Sequence, residues 1–227
     1  MKFTLPHAAL ALFLCAAGVA QAQSSPAPAP APALKLDTSW YVGLGVGHTT
    51  ARADTGDYAD ARTGATTQVG TADNLAWKVY GGWRFSRYWA VETAYAQMGR
   101  YTVNYGFGTG GGNGVNKLSA WSVALLGIWP MTDSLSVYAL AGAAVVHSDY
   151  HFTGDGVIYP ATAGGSNNTV NPTLGLGASY AFARNFAVRF DYQSYGRSGS
   201  ESRNFTNLGA TGQSHPGLAT LGLEAHF

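Results

Sequence analysis

The residues best suited to chemistry lie at the end of one predicted strand, where His147, Asp149 and His151 alternate. Side chains two positions apart on a β-strand share one face. Two imidazoles flanking a carboxylate at this spacing fit a metal site or an acid–base pair. They also fit an ordinary polar rim where a strand meets a loop, and we favour this second interpretation. His48 and His215, at the ends of the first and last predicted strands, are interpreted in the same way.

Two serine–histidine neighbours lack the geometry of a catalytic dyad. Ser214 precedes His215, and Ser148 follows His147, but adjacent residues of a strand point to opposite faces. The one cysteine, Cys15, falls within the N-terminal apolar run, so we expect the mature protein to lack a cysteine nucleophile, a cysteine ligand and a disulfide. We therefore predict a protein that is not an enzyme and that uses no cofactor and no metal.

The N-terminus has the pattern of a secretory signal peptide. Lys2 precedes an apolar run at 8–19, and Ala20-Gln21-Ala22 fits a cleavage site. The chain is predicted to contain a signal peptide at 1–22 for export through the Sec pathway, an Ala/Pro-rich periplasmic spacer at 23–38 and a membrane domain at 39–227.

Composition indicates an apolar surface without membrane helices. Apolar residues make up 46% of the chain and charged residues only 11%, against about 25% charged in a typical soluble domain. Removing Lys2 with the signal leaves 12 Lys and Arg, one fewer than the 13 of the full chain, against 12 Asp and Glu. A balanced charge without a basic run predicts no binding of nucleic acid. No apolar stretch after the signal is long enough for a membrane helix.

Apolar and polar residues alternate in eight segments from Trp40 to the C-terminus, as expected of β-strands with one face in lipid. In the second segment, Trp77 and Val79 alternate with Lys78 and Tyr80. The fifth is apolar on both faces, and we favour Val137 outward and Tyr138 inward. The predicted strands are 39–48, 75–85, 89–100, 118–129, 135–148, 173–182, 186–195 and 217–227.

Short and long connections follow one another along the chain. The segments at 86–88, 130–134 and 183–185 are short, whereas 49–74, 101–117, 149–172 and 196–216 are long and polar. This asymmetry is typical of outer-membrane barrels. The sequence therefore predicts an all-β fold: an eight-stranded antiparallel up-and-down transmembrane β-barrel with short periplasmic turns and long external loops.

Aromatic residues gather at the two ends of the predicted strands and indicate two membrane girdles. Trp121 and Trp129 are eight residues apart, roughly 26 Å along a strand. A tilt of about 40° reduces this to roughly 20 Å of height, close to the apolar band of such barrels. The predicted girdle residues are Trp40, Trp77, Trp83, Trp89, Trp121, Trp129 and Phe186.

Six charged residues fall on the inward face of the predicted strands. Three cations face three anions, and unpaired charges at this depth would each cost several kcal/mol. We therefore predict a structural interior charge network formed by Lys78, Arg84, Glu92, Arg189, Asp191 and Glu224.

Several segments resemble the outer-membrane β-barrels related to the OmpA transmembrane domain, OmpX and the opacity-type proteins. The resemblance is carried by WYVGLGVG at 40–47, GWRFSRYWAVETAYAQMG at 82–99, SVYALAGAAVV at 136–146, LGLGASYAFARNFAVRFDYQSYG at 174–196 and LGLEAHF at 221–227. The last segment resembles the assembly signal of these proteins, with Phe227 as the terminal aromatic and with Ala225 where an aromatic residue is usual. Because no segment follows Phe227, we expect the peptidoglycan-binding domain of full OmpA-type proteins to be absent.

The resemblance implies a structural or surface-interaction role, such as adhesion or membrane integrity, in the cell outer membrane of a Gram-negative bacterium. It implies as partners the outer-membrane lipid and lipopolysaccharide, the barrel-assembly machinery through the C-terminal strand, and a host or surface ligand at the loops. Two alternatives remain open: a lipid A-modifying barrel enzyme, and a narrow pore for ions or small solutes.

Overall fold

The computed structural model describes residues 39–53, 66–73, 75–107, 110–154, 162–196 and 214–227. The predicted signal peptide and spacer lie outside these residues. Within them the chain is β-structured, and no helix is long and apolar enough to span a membrane. The strands are β1 (Ser39–Ala53), β2 (Thr66–Asp73), β3 (Leu75–Ser86), β4 (Trp89–Phe107), β5 (Gly110–Pro130), β6 (Leu135–Gly154), β7 (Thr162–Ala183), β8 (Phe186–Ser194) and β9 (Ser214–His226).

The strands form a closed antiparallel ring. Each of β3 to β9 pairs with its neighbour in the chain, β1 pairs with both β3 and β9, and the pairing of β4 with β5 completes the circle. The short β2 pairs with β4 beyond the end of β3, so β2 and β3 together count as one strand of the barrel. The prediction of an eight-stranded antiparallel up-and-down barrel is confirmed.

The pairing register sets the tilt of the strands. The path of paired residues that starts at Trp89 on β4 passes once round the ring and arrives at Leu75 on β3. In the pairing of β3 with β4, Leu75 is level with Gly99. The path therefore returns to β4 ten residues away from its start, at 99 instead of 89. For eight strands, such a stagger gives a tilt of roughly 40°.

Burial alternates along the strands as the sequence pattern predicts. On β3, Trp77 and Val79 are exposed, whereas Lys78 and Tyr80 are buried. The register of the fifth predicted strand is also as favoured, with Val137 39% exposed and Tyr138 6% exposed. The large exposed side chains on the outer face are apolar, whereas the charged side chains of the membrane strands lie inside, which is the reverse of a water-soluble barrel.

The short turns are confirmed, but two of the predicted long loops are wrong. The chain turns tightly after Ser86, after Pro130 and after Ala183. In contrast, β4 and β5 continue through most of 101–117, including the glycine-rich stretch, and β6 and β7 continue through much of 149–172.

The physical reason is that ladder hydrogen bonds join backbones. Once β4 and β5 are in register inside the membrane, Arg100 to Phe107 continues to pair with Gly110 to Lys117, although the residues of the β5 segment are mostly glycine and asparagine. The predicted loop at 49–74 is also wrong in part, because β1 continues to Ala53 and β2 occupies Thr66–Asp73. Residues 54–65 and most of the predicted loop at 196–216 lie outside the described residues.

Candidate functional site

A cluster of charged side chains fills the middle of the barrel around Arg189 on β8. Its guanidinium donates to both carboxylate oxygens of Glu92 on β4, at 2.5 and 3.1 Å. It also donates to Glu224 on β9 at 3.1 Å and to Asp191 at 3.4 Å. All four residues are at most 6% exposed. Strands that are distant in the sequence are therefore joined through one buried cation.

Lys78 on β3 is the second cation of this cluster. Its Nζ lies 2.8 Å from Asp191 and 3.5 Å from Glu92, and it donates to Gln193 Oε1 at 3.1 Å. Asp191 also accepts a hydrogen bond from Thr220 Oγ1 at 2.7 Å. The carboxylates are thus shared between cations instead of being matched in separate pairs.

Three inward tyrosines surround the charges. The guanidinium of Arg189 lies 4.3 Å from the ring centroid of Tyr80 and 4.6 Å from that of Tyr138, within the range of cation–π contacts. Tyr41 donates to Glu92 at 3.1 Å, and Arg189 Nε donates to Tyr138 at 2.5 Å. The arginine is held by aromatic faces as well as by carboxylates.

Arg84 does not join the cluster, in contrast to the expected balance of three cations and three anions. It is buried, but Nη2 donates to the backbone oxygen of Arg87 at 3.1 Å, and Nε has no hydrogen-bond partner. Among the described residues it forms no ion pair. His226 takes a place beside the cluster instead, with Nε2 at 2.7 Å from Glu224.

The reason is depth along the strand. Arg84 and Lys78 share the inward face of β3 but are six positions apart, roughly 20 Å along a strand. Arg84 lines a small cavity of about 40 Å³ at the turn end of the barrel, beside Asp133 and Ser134 and below Glu224. Alternation indicates which face of the sheet a residue lies on. It does not indicate whether two residues lie at the same depth in the barrel.

An apolar layer lies inside the barrel on the other side of the charges. Its members come from five strands and from Tyr195, directly after β8, and they are nearly inaccessible to solvent. Among them, Met98, Val146 and Tyr195 are 0% exposed. Sequence reasoning missed this layer, although the inward positions of the longer strands already alternate as small or apolar residues. The layer comprises Ala76, Ala96, Met98, Leu118, Ala120, Ala144, Val146, Tyr195 and Leu218.

The predicted girdle residues lie on the outer surface in two groups. At the turn end, the ring centroids of Trp40 and Trp83 are 6.0 Å apart. At the other end, Tyr95 contacts Trp77 at 5.6 Å and Trp121 at 5.3 Å. Exposure is 61% for Trp40, 41% for Trp77, 42% for Trp83, 46% for Trp89, 60% for Trp121, 74% for Trp129 and 51% for Phe186.

Phe227 lies at the seam between the first and last strands. Its backbone nitrogen donates to Trp40 at 3.0 Å, and its backbone oxygen accepts from Trp40 at 3.1 Å. The phenyl ring is 69% exposed on the outer surface. The chain therefore closes the ring with its last residue.

The histidines of the outer rim are engaged separately. His147 Nε2 lies 3.3 Å from Asp149, and Nδ1 lies 2.6 Å from Asn168 Oδ1. In the part of the chain that the structure describes, no group of three potential ligands is placed to hold a metal ion. His48 and His215 lie on paired strands, but His48 is opposite Ala219, and His215 is opposite Arg52.

A closed ring with an apolar exterior, a charged interior and aromatic residues at both rims defines an integral β-barrel of the bacterial outer membrane. The family model described as the OmpA-like transmembrane domain matches residues 35–227, and the chain belongs to this family. It is located in the outer membrane of a Gram-negative bacterium.

Two curated relatives are similar over most of the chain. Outer membrane protein A of Yersinia pseudotuberculosis is 29% identical over 157 residues, covering 69% of this chain and 41% of that protein. Outer membrane protein A of Serratia marcescens is 27% identical over 162 residues, covering 69% of this chain and 42% of that protein. The chain thus spans about two fifths of the length of these relatives.

Solved structures show the same fold at low identity. Neisserial surface protein A has a TM-score of 0.54 at 15% identity, covering 84% of this chain and 99% of that one. Ail, the attachment invasion locus protein of Yersinia pestis, has a TM-score of 0.50 at 14% identity with the same coverage, and it has also been solved in complex with the heparin analogue sucrose octasulfate.

Proposed function

We propose that the protein is a non-enzymatic barrel of the outer membrane with a structural and surface-interaction role. The observation that supports this proposal is the set of buried side chains that lie inside the barrel. Buried charges around Arg189 occupy the middle of the barrel, and the apolar layer that includes Met98 and Val146 lies directly beyond them. Eight-stranded barrels have interiors just wide enough for side chains to fill. The interior thus serves to hold the wall together and does not conduct solutes.

The contact surface in this proposal is the part of the wall above the outer girdle. Here β5, β6 and β7 continue as a hydrogen-bonded sheet beyond Trp121. Such a sheet presents a fixed backbone with variable side chains, which suits recognition of a surface ligand. The complex of Ail with a heparin analogue supports this use of the fold in a related architecture.

Two further roles belong to this proposal. The aromatic residues at both rims fix the height of the barrel in the bilayer, as interfacial aromatics do in other barrels. The last strand, ending in Phe227, presents the assembly machinery with its recognition element. Its position at the seam beside Trp40 supports this role, because this strand keeps a free edge until it pairs with the first strand and the ring closes.

The test is conductance in planar bilayers. We expect no current steps above baseline from the folded protein, because the described side chains of the charge cluster and of the apolar layer lie across the lumen. As a control, Leu118→Ser together with Val146→Ser should admit water to the apolar layer and raise the frequency of small steps. Steady steps from the unaltered protein would contradict the proposal and favour the narrow pore.

Enzymatic activity is tested in parallel by mass spectrometry of lipid A from cells that produce the protein. We expect the same acyl pattern as in cells without it. A changed acyl chain would favour the lipid A-modifying alternative.

A further inference from the structure

Arg84 is a buried cation without a counter-ion in the described part of the chain. It is 5% exposed, and its Nη2 donates to the backbone oxygen of Arg87 at 3.1 Å. Its Nε has no hydrogen-bond partner, and the ion pairs of the described residues do not include it. A buried charge without a partner is costly, so a group that neutralises it stabilises the folded barrel.

Hydrogen-bond donors from two sides of the barrel face the same small space. Arg84 on β3 lines a cavity of about 40 Å³ at the turn end of the lumen. Ser134, directly before β6, and two further serines, Ser136 on β6 and Ser179 on β7, line it as well. Ser136 and Ser179 are in register, and β7 lies across the ring from β3. The guanidinium and the hydroxyl groups therefore converge on this cavity.

Two carboxylates also line the cavity, but neither is within ion-pair distance of Arg84. Glu224 accepts a hydrogen bond from Arg189 at 3.1 Å and lies 2.7 Å from His226 Nε2, so its charge is already shared. Asp133 is exposed in the turn between β5 and β6, where water and salt screen its charge. The positive charge of Arg84 is thus left without a counter-ion among the residues that the structure describes.

We propose that this cavity binds a small monovalent anion, of the size of chloride, at Arg84. The volume admits only a few water-sized groups, which suits a halide ion and excludes a phosphate. The free N–H groups of the guanidinium donate to the anion, and serine hydroxyls rotate to donate as well. The site lies at the end of the barrel opposite to the proposed contact surface and does not depend on that surface.

The experiment measures unfolding of the full chain by urea titration in phosphatidylcholine vesicles, with chloride replacing gluconate at constant ionic strength. Gluconate is too large for the cavity. An anion that binds only the folded barrel stabilises it by mass action. For a dissociation constant of about 50 mM, about 300 mM chloride should lower the unfolding equilibrium constant about sevenfold. Bromide should have the same effect.

Variants assign the effect to the cavity. Arg84→Gln should abolish the difference between chloride and gluconate, and Ser179→Ala should reduce it while the guanidinium remains. The matched control is Arg184→Gln, which removes an exposed cation at a turn and should keep the full response to chloride. Heat-modifiable gel mobility shows that each variant is folded. An equal response of Arg84→Gln and the unaltered chain would overturn the proposal, because it would leave an adventitious ion only.

A carboxylate of the chain itself is the competing counter-ion. Asp37 is outside the described residues, but it precedes Ser39 by two positions, and Ser39 is in register with Arg84. If Asp37 neutralised Arg84, chloride would leave the unaltered chain unchanged and would stabilise only Asp37→Asn. That result would also overturn the proposal. If the anion site is as proposed, Asp37→Asn should respond to chloride as the unaltered chain does.

Discussion

Arg189 connects more of the barrel than its place on a single strand suggests. Its guanidinium contacts Glu92 and Glu224, which lie on β4 and β9, and the rings of Tyr80 and Tyr138 on β3 and β6. A buried charge is tolerated only when it is paired and hydrogen-bonded. The charges therefore depend on one another for their pairing. Through its contacts the arginine connects four strands across the lumen of the barrel.

Replacing Arg189 with methionine should destabilise the barrel strongly. The variant keeps most of the volume but leaves Glu92 and Asp191 with Lys78, and Glu224 with His226, as their remaining partners among the described ion pairs. We expect the free energy of unfolding to fall by about 3–5 kcal/mol, measured by urea titration in lipid vesicles. Arg184→Met at an exposed turn is the control and should change it little. Equal midpoints for the two variants would show that the cluster adds no stability.

The inward position of each charge was predictable, but its partners were not. Alternation alone assigns Lys78, Glu92 and Arg189 to the inner face, where the structure has them. The exclusion of Arg84 depends on its depth, and the contact of Arg189 with Glu92 crosses the lumen between strands that are not neighbours. Neither relation exists until the strands are tilted and the ring is closed.

At the scale of the strands, inward glycines and tyrosines form opposed pairs. Gly43 is in register with Tyr80, Gly82 with Tyr41, and Gly177 with Tyr138. A Cβ atom at Gly43 would overlap the ring of Tyr80. Glycine therefore provides the room in which a ring can lie flat against the neighbouring strand, and the small lumen can hold three tyrosines.

Gly43→Ala should therefore lower stability, because the added methyl group displaces the Tyr80 ring from its place beside Arg189. We expect a loss of about 1–3 kcal/mol in the free energy of unfolding. Gly81→Ala is the matched control on the outer face, where the nearest atom to an added Cβ is 3.5 Å away. It should be neutral or slightly stabilising, since alanine reduces the freedom of the unfolded chain. A neutral Gly43→Ala would contradict the pairing.

The existence of the strands was predictable from the alternation of apolar and polar residues, whereas the positions of their outer ends were not. Inside the membrane a strand must separate apolar from polar side chains, and this requirement leaves a clear pattern from Leu118 to Trp129. Above the membrane both faces meet water, so Gly110 to Lys117 pairs without any pattern that distinguishes it from a loop. The same applies to Thr162 to Asn171 on β7.

The whole molecule depends on the seam between β1 and β9, which joins the two ends of the described barrel. Pairing there extends from Tyr41 with His226 to Ala53 with Ser214, and the hydrogen bonds of Trp40 with Phe227 complete it. Because these strands are the most distant in sequence, the seam carries the largest cost of loop closure. The family and the barrel were nevertheless recognisable, since both depend on local patterns.

Deleting Phe227 should impair assembly in cells. The deletion removes both backbone hydrogen bonds to Trp40, each worth about 1 kcal/mol, and the terminal aromatic at the membrane boundary. We expect the heat-modifiable form in outer-membrane fractions to fall to a minor share of that of the unaltered protein. Phe227→Leu keeps the backbone bonds and separates the contribution of the ring. Undiminished assembly of the deletion would contradict the proposed role of the last residue.

The order of layers within the lumen gives the two ends of the molecule unequal access to its interior. Glu224 and His226 line the cavity beside Ser134 at the turn end, whereas Leu118 and Val146 belong to the buried apolar layer. With the lumen sealed as proposed, water and protons would reach Glu224 and His226 from the turn end. Exchange of labile hydrogens at the charge cluster should accordingly be vectorial, proceeding from the periplasm. An acid challenge from outside the cell would reach the buried ions only after it had acidified the compartment behind them.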